Sequence, residues 1–417
     1  MLSFPRERIK VLLLEGVHSR AIDCLESAGY VNVELRSQAL KEEELIEALQ
    51  DVHMIGIRSR TKLSKKVLES APKLMAIGCF CIGTDQVDLA AAASVGIPVF
   101  NAPHSNTRSV AELVLGLCIM LFRNIFPKNE AAHGGKWLKS ADGSFEVRGK
   151  TIGIVGYGHI GSQVSVLAEN MGMQVLFYDT QAKLPLGNAR VAPSLEGLLQ
   201  ESDIVTLHVP QSPDTHHLIG KEQINSMRAG SFLINASRGT VVDLESLKEG
   251  LDSQHIAGAA LDVFPKEPAN KTQEFISDLR GMSQVILTPH IGGSTQEAQQ
   301  NIGAEVSRRL AQYSDCGSTE GAVNFPCLSL PQQRCAQRLL HIHRNEAGIL
   351  KQVNEVLANQ KVNVLGQYLL TNSQLGYVVL DTEQAVPEEA IDALQAIPGT
   401  IRTRALYLDT KEEETYV

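Results

Sequence analysis

A glycine run in the middle of the chain constrains the fold more than any other feature. Residues 151–161 read TIGIVGYGHIG, a β-favouring stretch that leads into Gly156, Gly158 and Gly161 in G-x-G-x-x-G spacing. A helical segment follows to Met171. Strand, tight turn and helix in that order present free backbone N–H groups to a phosphate-bearing ligand. Gly156 permits the turn, Gly158 lets the backbone approach a pyrophosphate, and Gly161 lets helix pack on strand. The next strand, QVLFYD, ends at Asp179, 18 positions after Gly161. That is close to the about 20 expected for the acid that binds an adenosine ribose. A carboxylate there accepts from ribose hydroxyls and repels a 2′-phosphate, so NAD is expected rather than NADP. Tyr157 and His159 occupy variable positions and are expected to shape the loop.

Such a run normally opens its domain, yet about a third of this chain precedes it. The earlier part alternates VLLLEG, VNVELR, MIGIRS, LMAIGC and PVFNAP with helical spacing, which predicts a parallel α/β layer without a phosphate loop. The glycine run therefore starts a domain inserted after another one. Helices over 106–126 and 294–313 are expected to make the two crossings, with a linker at Pro127, Gly134 and Gly135. Ser294-Thr295-Gln296-Glu297 matches a capping box. Residues 315–333 read as a second linker. The last eighty or so residues follow the order βαββαβ, a ferredoxin-like pattern compact enough for a separate domain.

Composition narrows the function classes. The 417 residues are 43% hydrophobic and 20% charged, with a formal charge of −9. An acidic chain argues against a general nucleic-acid binder. The most apolar stretch, Ser109–Phe122, carries Glu112 and is too short for a bilayer, so no membrane span is expected. Seven cysteines without a C-x-x-C pair give no metal site. Their odd number and the absence of a secretory h-region predict a reducing cytoplasm.

Ligands of doubly wound sheets sit outside the carboxyl ends of the strands. Three such ends carry a coherent set: SFLINA runs into Arg238, IAGAALDV into Glu267, and VILT into His290. An imidazole titrating near neutrality suits a base for a hydroxyl proton. A carboxylate would fix its tautomer, and a guanidinium fork would hold a substrate carboxylate.

The motifs GYGHIG, INASRGTVVD, AALDVFPKEP and LTPHIGGST resemble those of the D-isomer-specific 2-hydroxyacid dehydrogenases, over nearly the whole chain. The resemblance implies a Rossmann-like doubly wound sheet (106–294) inserted in a flavodoxin-like substrate domain (1–105 and 295–333). A C-terminal ACT-like domain (337–417) follows. It implies catalysis by Arg238, Glu267 and His290. The NAD site would comprise Gly156, Gly158, His159, Ile160, Gly161, Asp179, Ala236, Ser237, Arg238, Asp262, His290, Gly292 and Gly293. The nearest pattern within the family acts on D-3-phosphoglycerate at the entry to L-serine synthesis. Arg58-Ser59-Arg60-Thr61 suits its phosphate through charge-assisted hydrogen bonds, and Asn106 falls near the substrate by resemblance. Oxidation of another 2-hydroxy acid, such as 2-hydroxyglutarate, and an NAD-sensing binding protein are the alternatives.

By the same resemblance His343, Asn345 and Asn363 would hold L-serine as effector, and the chain would form a homotetramer. One departure stands out: relatives carry Asn-x-Pro-Gly where this chain has Asn345-Glu346-Ala347-Gly348, preceded by Arg344. Loss of the proline frees the loop and Arg344 adds charge, which bears on the strength and identity of feedback.

Overall fold

Short apolar runs in the first hundred residues form five strands: β1 (Val11–Leu13), β2 (Val33–Leu35), β3 (Met54–Ile57), β4 (Ala76–Cys79) and β5 (Val99–Asn101). All pairings are parallel, in the flavodoxin-like order β2-β1-β3-β4-β5. Except for β2 the strands are buried throughout. A parallel sheet covered on both faces requires this, and it explains runs without polar alternation. The computed structural model describes residues 5–268, 272–331 and 337–406. Gln333, Cys335 and the expected strand end at 407–409 lie outside the described residues. The chain divides into two units, Met1–Ser105 with Gln299–Val417, and Asn106–Ala298.

The second unit carries β6 (Thr151–Val155), β7 (Gln174–Tyr178), β8 (Arg190–Val191), β9 (Ile204–Leu207), β10 (Ser231–Asn235), β11 (Ile256–Leu261) and β12 (Val285–Leu287). The order is β12-β11-β10-β9-β6-β7-β8, again all parallel. Chain direction across the sheet therefore reverses between β6 and β9, the switch point where a doubly wound fold opens its crevice. Period-two side chains split the core in two. Ile152, Ile154 and Phe177 pack with the helices Thr107–Phe122 and His159–Asn170. Val155, Leu176 and Val205 pack with Leu198, Leu247 and Leu251 on the opposite face.

Two expectations need correction at the crossings. The helix at 106–126 ends at Phe122, Asn124 turns left-handed at φ 51°, and a second helix runs Ile125–His133. Pro127 therefore sits inside a helix rather than a linker. It falls in the first turn, where the missing N–H would have had no intrahelical partner. The long helix Gln296–Cys316 is capped by Thr295, whose Oγ1 accepts from Ala298 N at 3.2 Å. The cap is thus one residue beyond Ser294, and Ala298 at the reciprocal position has no side chain to close a capping box. The expected linker at 315–333 is packed against the first sheet as far as it is described. Asn324 Oδ1 accepts from Val99 N at 2.8 Å, and Ala322 bridges Phe100. No single helix among the described residues is long and apolar enough to cross a membrane.

The last strands, β13 (Gln337–Arg344), β14 (Val364–Thr371), β15 (Leu375–Thr382) and β16 (Thr400–Ala405), form an antiparallel sheet in the order β14-β15-β13-β16. The helices Ile349–Asn359 and Glu388–Gln395 complete the βαββαβ pattern. All eight residues of β15 are buried. One face, with Leu339, Val378 and Leu380, packs on those two helices. The other face, with Leu340, Ile342, Tyr377 and Val379, shares a core with Val11, Phe100, Leu310 and Tyr313. The last sheet and the first one thus belong to one unit. The sheet also serves the helix Gln296–Cys316, whose final carbonyls have no intrahelical donors. Arg404 Nη2 donates to Ser314 O at 2.9 Å, Arg338 Nη1 to Cys316 O at 3.0 Å, and Tyr377 Oη to Gly317 O at 2.6 Å. Cations there also complement the negative end of the helix dipole.

Arg338 is held in turn by a bidentate pair with Asp381, at 2.6 and 2.8 Å, with its side chain 1% exposed. Removing one partner of such a pair strands a buried charge. Asp381→Ala is expected to lower unfolding stability by about 3–5 kcal/mol in denaturant melts, whereas Arg338→Met with Asp381→Leu recovers most of that loss. A single mutant as stable as the parent would contradict this account.

Candidate active site

The glycine loop has the geometry its spacing predicts. Gly156 takes φ 91°, and a Cβ there would lie 2.5 Å from His208 O. At Gly161 a Cβ would lie 2.1 Å from Gly156 O, so only glycine lets the helix start this close to the strand. Gly158 has nothing within 4 Å on its Cβ side and N-caps the helix His159–Asn170. Free N–H groups of a helix start beside open space suit a pyrophosphate. Tyr157 is buried, stacks on Phe177 with centroids 3.7 Å apart, and donates from Oη to Ser165 Oγ. His159 is exposed and Ile160 half-buried against the core beneath. Asp179 Oδ2 accepts from Tyr157 N at 2.7 Å and Oδ1 from Gln181 N at 2.9 Å, which orients the carboxylate beside the loop. These residues fit NAD: an open phosphate cradle and an oriented acid at the end of the adjacent strand.

The carboxyl ends of β10, β11 and β12 gather the trio. His290 Nδ1 faces Glu267 Oε2 at 2.9 Å, and Glu267 Oε1 accepts from Phe264 N at 3.1 Å. With Nδ1–H donated to the carboxylate, the neutral ring keeps its lone pair on Nε2, which suits a general base. The Glu267 hydrogen bond raises the His290 pKa above the ordinary imidazole value; burial and the Arg238 charge oppose it. Burial pushes Glu267 up, but the His290 hydrogen bond and charge outweigh it and hold the carboxyl low. Arg238 is near enough to act electrostatically on both groups.

Each end is shaped by a buried polar residue. Asn235 Oδ1 accepts from Ser237 N and Oγ, and its Nδ2 donates to Arg238 O at 2.9 Å. Gly239 permits the Arg238 turn to press on the Glu267 loop, since a Cβ there would lie 1.9 Å from Phe264 C. Asp262, 1% exposed, accepts from Thr288 Oγ1 at 2.6 Å, Ile291 N at 2.8 Å and Gly292 N at 2.8 Å. Those bonds hold His290 in the left-handed region at φ 53°, which a non-glycine residue adopts only under constraint. Ala236 is half-buried and packs against the core that holds Ile234 and Ala260. Gly293 packs on Asn106, whose Nδ2 would lie 2.4 Å from a Cβ there. Asn106 Oδ1 is buried without a hydrogen-bond partner among the described residues. Among the described residues no cluster of His, Cys, Asp and Glu could hold a metal.

In the other unit, Arg58, Ser59 and Arg60 follow β3, with Ser59 and Arg60 exposed. Their loop wraps Glu15, which accepts from Thr61 N at 2.8 Å, Arg60 N at 2.9 Å and Arg58 N at 3.2 Å. Burial pushes Glu15 up, yet these backbone N–H bonds hold it below the usual carboxylate range. The Arg60 side chain reaches Glu15 at 3.4 Å and stays 55% exposed. In the last sheet His343 is buried beside His341, Asn345 Nδ2 donates to Asn372 O at 2.8 Å, and Asn363 Nδ2 to Glu383 Oε2 at 2.8 Å. Gly348, at φ 94°, opens the helix Ile349–Asn359 without the relatives' proline.

Sequence reasoning passed over Asn235, Glu15 and His208. His208 follows β9 at the switch point. Burial lowers its pKa to about 3, Thr206 Oγ1 lies 3.0 Å from Nε2, and Nδ1 has no hydrogen-bond partner among the described residues. The visible signal was a histidine at the carboxyl end of the strand beside the glycine loop.

The chain matches the model for "D-isomer specific 2-hydroxyacid dehydrogenase, NAD binding domain" over residues 115–292, and that for "AHAS small subunit-like ACT domain" over 339–402. It is 56% identical to a D-3-phosphoglycerate dehydrogenase of Escherichia coli K12 over 97% of this chain and 99% of that one. The corresponding figures for the Dictyostelium discoideum protein of the same name are 48%, 97% and 99%. Among solved structures it resembles the D-lactate dehydrogenase of Aquifex aeolicus complexed with NAD and lactic acid. That match has a TM-score of 0.66 and 27% identity, covering 76% of this chain and 100% of that one.

The His290–Glu267 contact sets a pH signature. A base is competent above its pKa, so alcohol oxidation should rise with pH through a value above the ordinary imidazole value. The reverse reduction should fall through the same value. Glu267→Gln removes the charge that raises His290 and is expected to move both inflections to lower pH. An unmoved profile would detach Glu267 from His290. His290→Asn is expected to cut kcat by about 10²–10⁴ while NAD binding, read by calorimetry, persists.

Proposed function

We propose, since this chain belongs to the D-isomer-specific 2-hydroxyacid dehydrogenase family, that it oxidises D-3-phosphoglycerate to 3-phosphohydroxypyruvate with NAD, the reaction that opens L-serine synthesis. The observation that carries the chemistry is the His290 Nδ1–Glu267 contact at 2.9 Å. NAD, when bound, supplies the acceptor for the hydride that leaves C2. His290 Nε2 takes the C2 hydroxyl proton, and the imidazolium so formed stays paired with Glu267. Arg238 holds the substrate carboxylate in a forked pair and, in the reductive direction, polarises the carbonyl oxygen to which His290 returns the proton. Arg58 and Arg60, with Ser59 between them, take the phosphate. Asn106 turns its unpartnered Oδ1 to the substrate.

The ACT module of the last sheet serves as a regulatory site for L-serine at His343, Asn345 and Asn363. A homotetramer is the assembly we assign. Support comes from apolar side chains left exposed on each unit: Trp137 at 86% and Leu138 at 55%, and Leu365 at 58% on the edge strand β14. The compartment we assign is the reducing cytoplasm, supported by six free thiols among the described residues. A dehydrogenase for a different 2-hydroxy acid, or a binding protein without turnover, is not favoured, given relatives that match 97% of the chain.

NADH consumption with 3-phosphohydroxypyruvate, set against 2-oxoglutarate, tests the substrate; faster turnover of 2-oxoglutarate at equal concentration would refute it. Arg58→Ala and Arg60→Ala are each expected to raise KM about tenfold or more for the phosphorylated substrate and much less for 2-oxoglutarate, as loss of a charged hydrogen bond dictates. Equal losses would remove the phosphate contact. L-serine at millimolar concentration is expected to inhibit.

A further inference from the structure

The last sheet contains a chain of hydrogen bonds whose direction is fixed from one end. Thr400 has one hydroxyl proton, and its Oγ1 donates to Leu394 O at 3.0 Å. Toward His341 Nε2, also at 3.0 Å, Thr400 is then an acceptor, so His341 carries its proton on Nε2. Burial, with His343 adding to it, lowers the His341 pKa to about 4, so the ring is neutral and its Nδ1 bare. That bare nitrogen lies 3.3 Å from His343 Nδ1, which must therefore be the donor.

The consequence falls on the far side of His343. With the proton on Nδ1, Nε2 has a lone pair, and no partner for it occurs among the described residues. The ring fits over Gly376, its direct cross-strand partner, where a Cβ would lie 2.2 Å from Nε2. Two residues on, Asn345 gives Nδ2 to Asn372 O, which leaves its Oδ1 as an acceptor. Both groups thus offer acceptors.

We propose that Thr400 and His341 are positioning residues that lock His343 in its Nδ1–H tautomer. The regulatory site then meets its ligand with a bare imidazole nitrogen and selects a hydrogen-bond donor, the ammonium or hydroxyl of an amino acid, over a carboxylate. This rests on the reading of His343 and Asn345 as effector residues. Neither Thr400 nor His341 touches the ligand in this account, and both act through His343.

The test uses the full-length protein labelled with ¹⁵N-histidine. Two-bond ¹H–¹⁵N correlations report which ring nitrogen of His341 and His343 is protonated, and NADH consumption reports L-serine inhibition of the same samples. The expected result is Nε2–H on His341 and Nδ1–H on His343. Thr400→Val should mix the tautomers and raise the half-inhibiting L-serine concentration about tenfold, the loss of roughly one hydrogen bond. Uninhibited turnover should be unchanged, and Thr400→Ser should restore both readouts. His343 found as the Nε2–H tautomer, or a Thr400→Val protein with tautomers and inhibition intact, overturns the proposal. Should L-serine fail to inhibit the parent protein, the effector reading falls, while the parent's tautomers still decide the hydrogen-bond chain.

Discussion

The Asp262 carboxylate is the constraint on which the active site depends. It is buried and accepts three hydrogen bonds from the segment that follows β12. Together with the His290 N–Thr288 O bond at 3.0 Å, they brace the residues on both sides of His290, which keeps a positive φ with its imidazole 2.9 Å from Glu267. The His290–Glu267 pair is therefore supported by a second carboxylate, Asp262, which takes no part in that contact. Asn235 has the same role at the end of the neighbouring strand β10, turning the backbone so that Arg238 leaves the sheet edge toward its neighbours. The geometry of this candidate site is built from below by polar groups at strand ends, each bonded to neighbouring backbone and hydroxyl groups.

Much of this was legible in the sequence because it is local. Strand, glycine turn, helix and acid follow one another within thirty residues, and spacing alone places Gly156, Gly158, Gly161 and Asp179. The trio was readable because each member follows a recognisable strand of one sheet. Glu15 was not readable: its three backbone partners lie more than forty positions away, and no local pattern marks an acid at the end of β1 as buried. His208 lay in plain view but needed the strand order, which puts β9 beside β6, to acquire meaning. The capping motif pointed to Ser294 because Glu297 lies three positions on, as a capping box requires. The contact from Thr295 to Ala298 moves the cap one residue on.

The last sheet shows where pattern reading meets a physical limit. A βαββαβ order suggests independence, but β13 and β15 are buried on both faces. One layer of helices covers only one of them. The second face is satisfied by residues from the first hundred and from the long helix, and the arginines of the sheet satisfy the end of that helix. The ACT module, with its paired His341 and His343, thus belongs to the unit that carries Arg58 and Arg60.

The order of synthesis follows from that arrangement. The unit Asn106–Ala298 is continuous in sequence, so every residue it needs has been synthesised before residues 299–417 are added. The other unit draws on both ends, and its β1 core waits for Ile342 and Tyr377 to close over it. Contacts of such long sequence separation form late. The nascent first sheet is therefore the region of the molecule exposed longest, and the region for which a chaperone has most to do.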